Sequence, residues 1–203
     1  MPPLYQHDPF LFLQRLLWFD ASWTDLVWVA ATTACEGWAM VLIALFFVYT
    51  RRRATRGLVR ATLPAFAALL LAGAAVQVLK AFIDTPRPLA VLDPGLVHVL
   101  GEPLRLHAFP SGHSASAAAL ATWATLRWGR TAWPLLVLAF LGGLSRVMVG
   151  AHWTVDVLGG WAVGVAAALL VREGERLLAR RRVAPRSEAA STPAREKAEV
   201  RGP

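Results

Sequence analysis

Residues Leu26 to Tyr49 are almost wholly apolar, interrupted by one acid, Glu36, and this run limits the possible folds more than any other feature. At about 1.5 Å per residue it reaches across a hydrocarbon core roughly 30 Å thick. In that medium backbone N–H and C=O groups must be satisfied within the segment, which dictates a helix. The same reasoning predicts four more crossings: Leu58 to Ile83 with Pro64 in its first turns, Ser111 to about Trp128, Trp133 to Val149 with Pro134 in its first turn, and Thr154 to Val171. The expected fold class is an all-α integral membrane protein, a bundle of about five transmembrane helices. A composition of 56% hydrophobic and only 17% charged residues in a chain of 203 agrees. The expected organisation is one membrane-embedded domain over residues 1–171 and a basic tail over 172–203, a solvated helix end passing into disorder.

The remaining segments are read around those crossings. Asp8 to Trp18 carries Gln14 and Arg15 and is too short to span, so an N-terminal helix lying in the membrane interface is expected. Met1 to Phe10 lacks the basic start and small-residue cleavage site of a signal peptide, and retention of these residues is expected. Cys35 lies in an apolar run and reads as a packed small side chain. Glu36, costly in hydrocarbon, should face the bundle or a wet cavity. The net charge of +8 does not point to nucleic acid, because the basic residues sit between spans and in the tail. Arg51, Arg52, Arg53, Arg56 and Arg60 follow the first span, Arg127 and Arg130 the third, and Arg172, Arg176, Arg180, Arg181 and Arg182 the fifth. All fall on one side, and the positive-inside rule makes that side cytoplasmic. The long 84–110 loop, with five prolines and two glycines, is then external, together with the turn near Gly150.

Lys80, Arg87, Arg105 and Arg146 are basic residues on the side that should lack them, and three of them belong to one constellation. Lys80 ends the second span and Arg87-Pro88 follows in the loop. Pro110-Ser111-Gly112-His113 opens the third span, where free N–H groups and the helix dipole suit an anion. Ser145-Arg146 ends the fourth span, and His152 and Asp156 lie one helical turn apart at the start of the fifth, so the acid can hold one ring nitrogen and leave the other free. Taken singly, Ser111 reads as a helix cap, Arg146 as a headgroup anchor, and Asp156 as a partner for Arg146. Taken together, these groups at one membrane face point to a functional site.

The three patterns K-x6-R-P, P-S-G-H and S-R-x5-H-x3-D, in order over Lys80 to Asp156, resemble the signature motifs of the type 2 phosphatidic acid phosphatase superfamily, which includes lipid phosphate phosphatases and vanadium haloperoxidases. The resemblance implies that Lys80, Arg87 and Arg146 bind phosphate with Ser111 and the Gly112 amide. It implies that His152 is the nucleophile, Asp156 its orienting acid, and His113 the general acid and then base. It implies no metal site and no cofactor. The expected activity is that of a bacterial inner-membrane lipid phosphatase working at the periplasmic face through a phosphohistidine. The expected substrate is a polyprenyl (undecaprenyl) pyrophosphate, with phosphatidylglycerophosphate and phosphatidic acid as alternatives and a non-catalytic lipid-binding protein as a further one. Its partners would be membrane lipids, with no nucleic acid and an oligomeric state left open. His98 and His107 read as solvent-facing loop histidines, and Trp153 as a membrane anchor in preference to a substrate contact.

Overall fold

A computed structural model of the chain describes residues 5–18, 22–51 and 58–189. Eight helices follow one another: α1 Phe10–Leu17, α2 Ser22–Ala34, α3 Gly37–Thr50, α4 Leu58–Phe82, α5 Pro88–Val91, α6 Gly112–Trp128, α7 Trp133–Met148 and α8 Thr154–Ala189. The segments Thr62–Phe82, Gly112–Met148 and Thr154–Arg181 are long and apolar enough to cross a membrane, and α2 with α3 passes the same test as a bent pair. The 37-residue stretch Gly112–Met148 is folded back on itself through a 3₁₀ turn at Gly129–Ala132, because α6 and α7 pack side by side. Its two halves therefore cross once each. With the bent pair counted as one, the bundle has five crossings.

The first predicted span needs correction. Leu26 to Tyr49 is not one straight helix; α2 and α3 meet at 73°. The break falls at Cys35 and Glu36, where Glu36 takes extended backbone and caps α3 while its carboxylate accepts a hydrogen bond from Trp38 Nε1 at 2.6 Å. An acid at the first turn of a helix is favoured by the dipole. Glu36 is half-buried rather than sunk in the bundle. Cys35 is fully buried as expected, and its sulfur fills the space beside Gly142 of α7. Residues 52–57 and 190–203, which hold Arg52, Arg53 and Arg56 and the end of the predicted tail, lie outside the described residues. Beyond the expected fifth span, α8 runs unbroken past Val171 to Ala189.

The core is built on small residues. Ala115, Ala119 and Ala124 of α6 are buried without exposed surface, and α8 lies against them. A Cβ on Gly160 would stand 2.4 Å from the Ser111 carbonyl oxygen, and one on Gly164 2.2 Å from that of Ala115. The two backbones thus touch, the arrangement small residues permit between helices in lipid. The opposite surface carries Phe46, Leu70 and Leu170, large apolar side chains left exposed by the bundle and suited to acyl chains.

The basic ends of the helices gather at one face. Arg51 donates to the hydroxyl and carbonyl oxygen of Thr131, Arg127 pairs with Glu175 at 3.9 Å, and Arg172 donates to the Leu126 carbonyl oxygen. A cleft of about 620 Å³ opens there, lined by Trp123, Arg127 and Arg172 among others. That face and the start of α6 are separated by the length of a 17-residue helix, about 25 Å. Replacing Gly164 with Ala should lower the stability of the detergent-solubilised protein by on the order of 2 kcal/mol, since the methyl must displace backbone. Gly73→Ala on α4, where a Cβ meets nothing within 4 Å, should leave the melting temperature unchanged or slightly raised. Equal melting temperatures for the two variants would show that the α6–α8 contact is looser than described.

Candidate active site

The chain segments carrying the three sequence patterns converge where α6 and α8 begin. Ser111 is the N-cap of α6; its hydroxyl oxygen accepts from the Ser114 hydroxyl at 2.9 Å, and its own N–H donates to the Asp156 carbonyl oxygen at 3.0 Å. Those bonds fix the turn bearing Gly112 and His113 against the first turn of α8. Arg146 lies in the last turn of α7, and its carbonyl oxygen accepts the N–H groups of Ala151 and His152, both at 3.1 Å. This tight turn returns the chain from α7 to α8. It needs Gly150, which sits at φ +73° and where a Cβ would stand 2.4 Å from the His98 carbonyl oxygen.

His152 and Asp156 are 2% and 0% exposed. His152 Nδ1 lies 3.4 Å from Asp156 Oδ2, which also accepts the Trp153 N–H at 2.9 Å, while Tyr5 donates its hydroxyl to Asp156 Oδ1 at 3.2 Å. Both carboxylate oxygens are therefore occupied, and Asp156 does not pair with Arg146. Placed on Nδ1, the ring proton points to the acid and leaves Nε2 with its lone pair. Burial, followed by the positive charges of Arg87, Arg146 and Lys80, holds the His152 imidazole well below its usual pKa, so it rests neutral. Arg87 and Arg146 reach the turn that carries this ring through the Ala151 carbonyl oxygen and the Arg146 carbonyl oxygen respectively.

Each cation is held differently. Arg87, the N-cap residue of α5, is buried, with Nε donating to the Leu106 carbonyl oxygen at 2.8 Å and Nη1 to that of Ala151 at 2.9 Å. Arg146 donates Nη1 to the Thr32 hydroxyl of α2, and its buried Nε has no hydrogen-bond partner. Lys80, in the last turn of α4, is half-buried. His113, in the first turn of α6, is half-buried as well. Among the described residues, no group of three or more His, Cys, Asp or Glu side chains could hold a metal ion.

All eight residues singled out in the sequence are thus brought to one end of the bundle. His98 and His107 are exposed; His107 pairs with Asp84 at 3.2 Å, and the His98 carbonyl oxygen accepts from Gln14 at 2.9 Å. Trp153 is no surface anchor: it is 1% exposed, stacked on Tyr5 at 5.0 Å, edge-on to Phe10 at 5.5 Å, and donates to the Pro86 carbonyl oxygen. Sequence reasoning missed Tyr5, Asp8, Gln14 and Thr32. Gln14 and Thr32 at least stood out as polar groups in apolar segments; Tyr5 and Asp8 carried no signal.

The family model described as the PAP2 superfamily matches residues 61–176, more than half of the chain. The chain belongs to the PAP2 superfamily. Among PAP2 relatives, the undecaprenyl-diphosphatase BcrC of Bacillus subtilis is 35% identical over 85 residues, 42% of each chain. A lipid A 1-phosphatase of Rhizobium etli is 34% identical over 103 residues, 49% of this chain and 44% of that one. The matches thus span less than half the length of these relatives. The crystal structure of Aquifex aeolicus LpxE superposes with a TM-score of 0.66 at 25% identity, covering 81% of this chain and 92% of the other. The PAP2-type phosphatidylglycerolphosphate phosphatase of Bacillus subtilis, at TM-score 0.60 and 21% identity, covering 82% and 84% of the two chains, shares the fold. Like these PAP2 neighbours the protein is a multi-pass membrane protein. Because Arg146 is buried beside the turn that carries His152 while Arg105 is exposed and donates to the Leu89 carbonyl oxygen, Arg146→Ala should weaken orthovanadate binding by about tenfold or more, and Arg105→Ala by less than about twofold, in calorimetric titration. Similar losses in both would remove Arg146 from the anion site.

Proposed function

We propose that this protein is a lipid phosphate phosphatase that transfers the phosphoryl group of its substrate to His152 and then to water. The observation that carries the reading is a buried imidazole held by Asp156, in a turn that Arg87 binds through the Ala151 carbonyl oxygen and Arg146 through its own carbonyl oxygen. Nε2 of His152 attacks phosphorus, the bond to the leaving oxygen breaks, and His113 donates that oxygen its proton. The imidazolium formed is stabilised by Asp156. Water then attacks the phosphohistidine, His113 takes its proton, and inorganic phosphate leaves. Throughout, the three cations neutralise the equatorial oxygens, with Ser111 and the Gly112 N–H at the positive end of α6.

The substrate we favour is undecaprenyl diphosphate, supported by the likeness to the Bacillus subtilis undecaprenyl-diphosphatase. The likeness to the Rhizobium etli lipid A 1-phosphatase supports a second reading, lipid A. Phosphate release from undecaprenyl diphosphate, lipid A, phosphatidylglycerophosphate and phosphatidic acid, each with EDTA, separates them. Activity that persists in EDTA is expected, and its loss would overturn the all-protein clamp; no release from any lipid would leave the non-catalytic alternative standing.

The roles of the two histidines are separable. His152→Ala should form no phosphoenzyme and lose turnover with every substrate. His113→Ala should still label with an aryl phosphate, whose leaving group needs no proton, and hold the label longer because its water lacks a base. Acid-labile, base-stable label trapped in the His152 variant would move the nucleophile elsewhere.

The site face is proposed to open to the periplasm and the arginine-rich face to the cytoplasm, on the positive-inside rule. In a Cys35→Ala background, His98→Cys should react with an impermeant maleimide in intact cells while Arg176→Cys should not. The reverse pattern would invert the topology.

A further inference from the structure

The segment before the first long helix lies outside the stretch matched by the family model, which begins at residue 61, yet it grips the catalytic turn at three points. Asp8 accepts the N–H groups of Thr154 at 3.1 Å and Val155 at 2.9 Å, so its carboxylate caps α8 from across the fold. Gln14 of α1 donates to the Val147 and Met148 carbonyl oxygens at the end of α7 at 3.1 and 3.2 Å, and its oxygen accepts the His98 N–H at 3.1 Å. Both helices that bracket His152 are therefore closed by side chains of one remote segment. The third tie is the Tyr5 hydroxyl on Asp156 Oδ1.

We propose that Tyr5 is a positioning residue of the active site, which sets the rotation and charge of Asp156 and through it the tautomer of His152. Asp156 Oδ2 is shared between His152 and the Trp153 N–H. A carboxylate with Oδ1 free would be held against rotation only on one side, and its buried oxygen would go unpaired, a costly state. The Tyr5 hydroxyl removes both defects. By donating to the carboxylate it also makes Asp156 a weaker base, which keeps the shared proton on Nδ1 of His152 as positive charge develops on the ring. Burial raises the Tyr5 phenol to about 12 despite the opposing pull of the Thr85 hydroxyl, and the Asp156 charge adds to the rise, so Tyr5 remains a donor at working pH. Its ring is fixed independently by stacking on Trp153.

The inference rests on the phosphohistidine reading, and the test separates the two. Tyr5→Phe removes only the hydroxyl and keeps the ring on Trp153, so the protein should stay folded at the assay temperature, its melting temperature lowered by no more than the several degrees that one unpaired buried oxygen costs. Its kcat should fall roughly tenfold, with KM unchanged, in line with one hydrogen bond to a charged group. In an Asp156→Asn background the added Tyr5→Phe change should cost less than about twofold, because the two residues act as a unit. A single Tyr5→Phe variant with parental kcat, or a full independent loss in the Asp156→Asn background, would overturn the role of Tyr5. Should Tyr5→Phe melt markedly lower, the residue is structural and the proposal also fails. Failure of the parent protein to form a His152-dependent phosphoenzyme would instead reject the underlying reading, and is scored separately by labelling parent and His152→Ala first.

Discussion

The bond from the Ser111 N–H to the Asp156 carbonyl oxygen stands at the root of the structure, since it can form only if α6 and α8 start at the same depth and touch. Gly160 and Gly164 allow that approach, and the alanines of α6 fill the groove without holding the helices apart. Once the two N-termini are side by side, their dipoles add at the point where His113 and His152 emerge. Placing the Gly112 turn and His152 together then needs no long side chains and little ordering entropy beyond what the helices have already lost.

A cluster of cations is hard to keep in such a place, and the three are secured by different means. Arg87 is bound by loop carbonyl oxygens, Arg146 by the Thr32 hydroxyl on α2, and Lys80 ends a helix whose C-terminal carbonyls favour positive charge. Their partners are mostly neutral acceptors rather than carboxylates. The buried acid nearby, Asp156, is bonded to His152, the Trp153 N–H and Tyr5 and so leaves the cations uncancelled. A tetrahedral oxyanion is the complement of that charge, whereas a neutral ligand would leave the cations without compensation.

Much of this was legible in the sequence because helix periodicity and motif spacing are local. Long apolar runs fix spans; a histidine and an acid one turn apart fix a pair; the proline at the start of α7 marks where that helix begins. The failures share one cause, contacts made across large separations. The bend at Cys35–Glu36 is set by packing on α7, and hydropathy averages over it. Trp153 was read as an anchor because tryptophans flank spans, but its ring is covered by Tyr5 and Phe10 from the other end of the chain.

The N-terminal segment shows why motif spacing leaves part of such a site unread. Lys80 to Asp156 supplies the groups that would touch phosphate, and their spacing is constrained by the chemistry itself. What holds the turn between Arg146 and Asp156 is constrained only to be present: a carboxylate at the start of α8, an amide at the end of α7 and a hydroxyl on Asp156 can be delivered by any segment that reaches them. Here Asp8, Gln14 and Tyr5 deliver all three from within about ten residues. Because α1 is an eight-residue helix that cannot cross a bilayer, its stability depends on that docking. The site and its N-terminal brace are thus mutually dependent: loosening the brace frees the His152 turn, and loosening the turn removes the surface on which the brace folds.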